Sequence, residues 1–310
     1  MNIAQKKILL AIDGSQYSLE AVRYAGRVLS PQKIEVVLFH VIWKVDEALY
    51  DIGAESLYHQ KLMDLRAWER EQKKQTQAFM DEARCILIDS GLPEKLITVK
   101  IHQRKKGIAR DIIIESKEGY SAVVVGQKGL SKLKDLVIGS VAEKLINKIA
   151  HIPLWVVGGK PETGKILLAL DASEGSMRAV DYVGTMMGGS GCSVTLLHVE
   201  RDVHFLQQID MLPSEHDALT KEIAKDIMPV FDEAENRLIN AGFIPSQVNT
   251  SLITGVSSRA GAIIKEAKQG GYGTIAIGRR GMSKVEEFFM GRVSNKVIHL
   301  AKETAVWVVT

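Results

Sequence analysis

Two stretches of the 310-residue chain have residue types and spacing suited to holding an anion. Residues 126–140 (GQKGLSKLKDLVIGS) set Gly126 and Gly129 three apart and bring Gly139-Ser140 ten residues after the second glycine. Residues 278–292 (GRRGMSKVEEFFMGR) repeat those steps at Gly278, Gly281 and Gly291, and keep an internal Ser-Lys pair, Ser131-Lys132 in one and Ser283-Lys284 in the other. A glycine lets the backbone turn tightly and come close to a ligand. A helix opening behind it aims free N–H groups and the positive end of its dipole at the same space. Phosphate is the guest such a cradle fits. Taken singly, either stretch reads equally well as an ordinary strand–loop–helix connection, because glycine turns are common punctuation. The recurrence of spacing and flanks makes the chain a tandem duplication.

The elements that must position these loops also recur. Each loop follows an apolar run of strand length, Ala122–Val125 or Thr274–Ile277, and precedes a helical period, 141–149 or 293–300. Upstream, 7–12 (KILLAI) and 165–170 (KILLAL) read as first strands ended by Asp13 and Asp171, with a serine two residues on and an amphipathic helix behind. Each aspartate is either a helix cap or a carboxylate at the carboxyl end of a parallel strand, where open α/β sheets bind ligands. Second strands, 34–40 and 193–198, end in His40 and His198, and their apolar flanks favour packed, hydrogen-bonded histidines over catalytic ones. The spacers 43–60 and 201–217 are irregular and polar; long amphipathic helices follow and stop at Gly91 and Gly242. Pro229 marks a kink or a restart in the second of them. Third strands (96–101, 248–253), helices (107–117, 258–268) and closing strands (153–157, PLWVV; 305–309, AVWVV) complete each half. Alternating strands and helices predict parallel sheets covered on both faces. The stretch 158–164 (GGKPETG) reads as a linker, giving expected domains 1–159 and 160–310.

Composition narrows the function classes. With 46% hydrophobic and 25% charged residues the chain is an ordinary globular protein, and a net charge of +3 argues against a nucleic-acid or membrane partner. The basic residues Lys100, Arg104, Lys105 and Lys106 read as a solvated face. The opening apolar run ends at Asp13 without a small-residue cleavage site, so it reads as a strand rather than a signal peptide. Cys85 and Cys192 fall at non-equivalent places, which suggests neither a disulfide framework nor a thiolate metal site. A reducing, cytoplasmic location is expected. His204, Asp210 and His216 lack ligand spacing, so no metal site is expected there.

The pattern G-2x-G-9x-G-(S/T), met by Gly126, Gly129, Gly139 and Ser140 within the duplicated layout, resembles the universal stress protein family in its tandem two-domain form. The resemblance implies an α/β fold of two repeated Rossmann-like domains, each a five-stranded parallel sheet with helices on both faces. It implies that the final strands, 154–157 and 306–309, pair the domains as an intramolecular pseudo-dimer, with Trp155 and Trp307 at or beside the interface; a further homodimer stays open. It implies ATP as cofactor, with or without Mg2+. Asp13 would lie at the ribose, the backbone of Val41 at the adenine, and Gly126, Lys128, Gly129, Gly139, Ser140 and Val141 around the phosphates. The second half matches at Asp171, Val199, Gly278, Gly281 and Gly291, but Arg292 stands where the hydroxyl residue belongs. That change removes a compact donor and adds a long cation that either pairs with phosphate or fills the pocket. The implied function is a regulatory ATP-binding protein reporting nucleotide or stress state to a protein partner. The alternative is a slow ATP hydrolase or another adenine-nucleotide enzyme. Against it stand the lack of a Walker pattern, of a Ser-Gly-Gly pyrophosphate loop near the first strand, and of a metal-holding carboxylate pair, so no catalytic residue is assigned.

Overall fold

The computed structural model describes residues 6–29, 34–43, 56–130, 137–201, 213–281 and 290–310, leaving aside the side chains of 56–62 and 213–224. The first half runs β1 (Lys6–Ala11), α1 (Gln16–Val28), β2 (Ile34–Ile42), α2 (Ser56–Asp89), β3 (Ile97–Gln103), α3 (Ile108–Glu115), β4 (Ala122–Gly126), α4 (Ser140–Lys148) and β5 (Leu154–Val157). The second half repeats it as β6 (Lys165–Leu170), α5 (Glu174–Met187), β7 (Ser193–Arg201), α6 (Pro213–Asn240), β8 (Val248–Val256), α7 (Arg259–Gln269), β9 (Thr274–Gly278), α8 (Arg292–Leu300) and β10 (Ala305–Val309).

All ten strands join one sheet in the order β3-β2-β1-β4-β5-β10-β9-β6-β7-β8. Pairing is parallel within each half and antiparallel only at the central seam, where β10 meets β5 with Trp307 opposite Trp155. Successive strand residues point to opposite faces, so Ile8 and Leu10 enter one core while Leu9 and Ala11 enter the other. Helices α1, α2, α5 and α6 cover the first face; α3, α4, α7 and α8 cover the second. Burial on both faces is why the central strands read as unbroken apolar runs. At the seam the two fully buried tryptophans stack with ring centroids 4.1 Å apart and planes 7° apart. Tyr24 and Tyr182 pack edge-on against Trp155 and Trp307 respectively. Trp155 Nε1 donates to the Tyr182 hydroxyl (3.0 Å), while the Tyr24 hydroxyl bonds Thr274 Oγ1 (2.7 Å) across the seam. Trp307 Nε1 lies near Tyr24 without a well-formed bond.

Three local expectations change. The long helices begin at Ser56 and Pro213, inside spacers expected to be irregular. A nucleated helix extends cheaply through polar residues that leave no apolar stripe to read, and proline is favoured in a first turn. The second helix also continues through Pro229, so of the kink or restart expected there the restart does not occur. That residue sits on an exposed part of the helix, where water can serve the carbonyl deprived of its donor. The glycine stops hold: Gly91 and Gly242 have φ of 93° and 108°, and the amides of Leu92 and Phe243 reach back to Leu87 and Leu238. His204 and Asp210 lie outside the described residues, as does the His216 side chain.

Candidate functional site

From β1 the chain passes to β2 on one side and returns through β3 to β4 on the other. This topology opens a crevice at the carboxyl ends of β1 and β4, the kind of place where open α/β sheets take ligands. Asp13 follows β1, Gly126 ends β4 and Val41 lies one residue short of the end of β2. The Ile12 amide donates to the Phe39 carbonyl (2.9 Å), which holds the first two strand ends together.

The Asp13 carboxylate is not the helix cap. Ser15 caps α1, its side chain accepting from the Ser18 amide (3.2 Å). Asp13 instead fastens the turn to the glycine loop, since Oδ1 accepts from the Ser15 amide (3.0 Å) and Oδ2 from the Leu130 amide (3.2 Å). Gly129 lies so close that an added Cβ would stand 2.5 Å from Asp13 Oδ2. A Cβ on Gly126 would meet the Tyr17 carbonyl oxygen at 2.7 Å, so this glycine also admits α1 against β4. The Gly139 amide donates to the Gln127 carbonyl (2.8 Å), and a Cβ on Gly139 would come 3.3 Å from the Gly129 nitrogen. Loop and helix entrance therefore share one small space.

The contrast among helix starts is informative. Helices α1, α5 and α7 are capped by the side chains of Ser15, Ser173 and Ser258. Helix α4 begins at Gly139 with no side-chain cap, so among the described residues its first amides are left for an outside acceptor. Ser140 is exposed in that first turn and Val141 is half-buried against the second core. Lys128 is half-buried, with its ammonium 5.8 Å from the centre of the Tyr17 ring. These groups can hold an anion through neutral amides, a hydroxyl and one cation.

The second half has the same frame with different fittings. Oδ1 of Asp171 accepts from the Ser173 amide (3.2 Å) and also from its hydroxyl. A Cβ on Gly281 would crowd Asp171 Oδ2, one on Gly278 would meet the Gly175 carbonyl oxygen at 2.7 Å, and the Gly291 amide donates to the Arg279 carbonyl (2.9 Å). Helix α8 likewise lacks a side-chain cap, but its first residue is the exposed Arg292. At the second strand end, Arg259 Nε donates to the Val199 carbonyl (3.1 Å) while Nη2 bonds Glu200 Oε1 (2.5 Å). Glu200 Oε2 also lies 3.5 Å from His198 Nε2. In the first half Ile42 and Ile108 occupy the positions of Glu200 and Arg259, and Ile108 is exposed. An open apolar edge in one half is thus an ion-paired, covered edge in the other.

The turn after each aspartate is left-handed, with φ of 77° at Gly14 and 57° at Ala172. A Cβ on Gly14 would collide with Phe79 Cδ1 at 2.6 Å, whereas the second half places Val230 at the position of Phe79 and so has room for alanine. Ala172→Gly relieves the left-handed strain and is expected to stabilise the protein by about 0.5–1 kcal/mol net of unfolded-state entropy. Gly14→Ala is expected to destabilise it by more than that, and urea unfolding of both variants checks the pair.

The repeated histidines are structural. His40 Nδ1 donates to the Ile12 carbonyl and His198 Nδ1 to that of Leu170, each at 2.8 Å, directly before the strand-end aspartate. His40 also meets Phe79 edge-on. Burial lowers its pKa, outweighing the opposing pull of the Ile12 carbonyl and Asp13. The folded state therefore binds this proton less readily than the unfolded chain. Its contribution to stability is complete above the unfolded value of about 6.5 and is lost as pH falls from there through the depressed folded value. His40→Gln is expected to reduce the drop in urea midpoint between about pH 7.5 and 5.5.

The expected basic face is partly tied down. Lys100 pairs with Glu115 (2.7 Å), and the amides of Lys105 and Lys106 bond the Asp111 carboxylate. Sequence reasoning missed the Glu200–Arg259 pair, and it missed Gln127 and Arg279, which sit beside the leading glycines as loop residues of no evident role. Their only signal is that both loops put a long polar side chain at the same step. Among the described residues, no group of three or more His, Cys, Asp or Glu side chains could hold a metal ion, and no helix is long and apolar enough to cross a membrane.

Comparison with known proteins agrees with this fold. The universal stress protein family profile matches residues 5–158 and again 162–310, and the chain belongs to that family. A universal stress protein of Mycolicibacterium smegmatis is 28% identical over 201 residues, which span 63% of this chain and 64% of that protein, just under two thirds of its length. Universal stress protein YxiE of Bacillus subtilis is 29% identical over 143 residues, covering 44% of this chain and 93% of YxiE. The crystal structure of a universal stress protein from Archaeoglobus fulgidus superposes with a TM-score of 0.63 at 19% identity, covering 99% of both chains, and so shares the fold.

Proposed function

We propose, from the premise that this chain is a tandem universal stress protein, that it is an ATP-binding regulatory protein with one tight site, in its first half. The observation that carries this reading is the uncapped entrance of α4, with Gly139 and Gly129 packed against each other beside Asp13. Among the described residues, these glycines place hydrogen atoms where side chains would block a phosphate group, which is the fit ATP requires. In this reading the Asp13 carboxylate takes the ribose and the backbone of Val41 the adenine, on the apolar edge offered by Ile42 and Ile108. Gly126, Lys128, Gly129, Gly139, Ser140 and Val141 surround the phosphates, and any Mg2+ arrives with them. The binding units are residues 1–159 and 160–310.

The second frame, at Asp171, Val199, Gly278, Gly281 and Gly291, binds adenine nucleotide weakly. Its adenine-facing carbonyl is engaged by Arg259 and its helix entrance carries Arg292. The protein acts by binding, in the cytoplasm, and passes its nucleotide state to a protein partner. Among the described residues, the loop offers donors without a positioned base. Mass spectrometry of small molecules released by denaturing freshly purified protein tests the ligand. ATP or ADP is expected at about one per chain, and a flavin or a coenzyme A derivative would overturn the reading. Turnover is expected to stay well below about one per second. Sustained hydrolysis at or above that rate, lost in Asp13→Ala, would establish the hydrolase alternative.

A further inference from the structure

Each glycine loop holds the far end of the other half's last helix. Gln127, 2% exposed, donates from Nε2 to the carbonyls of Ile298 (3.2 Å) and Ala301 (2.9 Å), at the end of α8. At the equivalent step of the second loop, Arg279 is 3% exposed and donates from Nη1 to the carbonyls of Ile146 (2.9 Å) and Ile149 (2.8 Å), and from Nη2 to Asn147 (3.3 Å), at the end of α4. The two sets of carbonyls occupy corresponding positions. Between the helices, His299 Nε2 lies 3.5 Å from Glu143 Oε2.

The Arg279 tether is costly. Among the described residues no carboxylate is within bonding distance of its guanidinium and its Nε has no partner, while Arg280 beside it adds repulsion. A buried guanidinium with no counter-ion is strongly disfavoured, and here it is compensated by the negative end of one helix dipole and three carbonyls that the helix leaves unbonded. Gln127 does the neutral version of the task with two bonds. Helix α4 therefore has its C-terminus seated on a cation from the second loop and its N-terminus facing the first half's anion cradle. We propose that Arg279 positions the phosphate-binding end of α4 from across the seam, and that with Gln127 it couples the two glycine loops reciprocally, so that the state of one loop sets phosphate affinity in the other half.

The coupling of binding rests on the nucleotide reading above, whereas the tether itself is testable without it. In Arg279→Gln the second loop receives the first loop's own side chain, so two neutral bonds replace three charged ones. Amide exchange of nucleotide-free protein is expected to quicken over 139–149 while the core of β1 and β2 keeps its wild-type protection. Calorimetry is expected to show ATP binding weakened about five- to tenfold with adenosine binding unchanged, because the tether seats the helix whose opposite, N-terminal end faces phosphate. The effect of a uniform loss of stability would fall on both ligands and both regions. Arg279→Lys keeps the charge with fewer bonds and is expected to lie between, which retains a measurement should the glutamine variant fold poorly. Unchanged exchange at 139–149, or equal losses for ATP and adenosine, would overturn the proposal. If wild-type protein binds no ATP, the nucleotide reading falls and the exchange result alone decides the tether.

Discussion

Gly129→Trp is expected to abolish tight ATP binding, lowering affinity by at least about 100-fold, roughly 3 kcal/mol. Even the Cβ of an alanine would come within 2.5 Å of Asp13 Oδ2, so either the carboxylate or the loop it anchors through the Leu130 amide must shift. An indole in addition fills the space between Gly129 and the α4 entrance, where Gly139 already stands 3.3 Å from the Gly129 nitrogen. Gly281→Trp makes the corresponding insult beside Asp171 and is expected to leave the tight site within the tenfold that the cross-seam tether transmits. Calorimetric titration of nucleotide-free protein separates the outcomes. Loss of the tight site on changing Gly281 while Gly129→Trp still binds would place that site in the wrong half.

The largest expected effect on stability belongs to the seam. Trp307→Ala removes a fully buried indole stacked 4.1 Å from Trp155 and edged by Tyr182. Truncating a large buried aromatic costs roughly 3–5 kcal/mol, and the aromatic pairing adds about 1 kcal/mol. The cavity opens in a core shared by both halves, so urea unfolding followed by probes in either half is expected to shift together. Trp68→Ala is the control: that ring is 42% exposed and meets Trp43 edge-on, and its loss is expected to cost about 1 kcal/mol or less. A Trp307→Ala cost no larger than that of Trp68→Ala would show that the stacked pair does not hold the seam.

What was legible in the sequence follows from which forces leave a local mark. Strand runs such as 8–11 and 166–168 show because burial on both faces demands continuous apolar residues. The glycine steps show because backbone approach excludes every other residue, and the two closing strands show because an apolar edge needs a partner. The helix starts at Ser56 and Pro213 leave no such mark, since propensity without an amphipathic stripe is silent. The role of Ser15 in place of Asp13 as cap turns on a two-residue difference in where α1 begins. Gln127, Arg279 and the Arg259–Val199 contact were out of reach for a simpler reason. Each side chain is read only by the carbonyls it meets, and those lie at the far end of another element or in the other half.

The antiparallel seam between β5 and β10 has a consequence for dilution. Two separate chains joined along such an edge obey mass action, and each half would lose its partner as the protein becomes scarce. Here the partner arrives with the chain, at an effective concentration fixed by the short connection from β5 to β6 rather than by expression level. The shared core forms equally well at one copy or many. The two halves are also freed from having to be identical, because a change in one is never imposed on its mate by symmetry. Arg292, Arg259 and Ala172 stand in the second half alone, where a homodimer would have carried each of them twice.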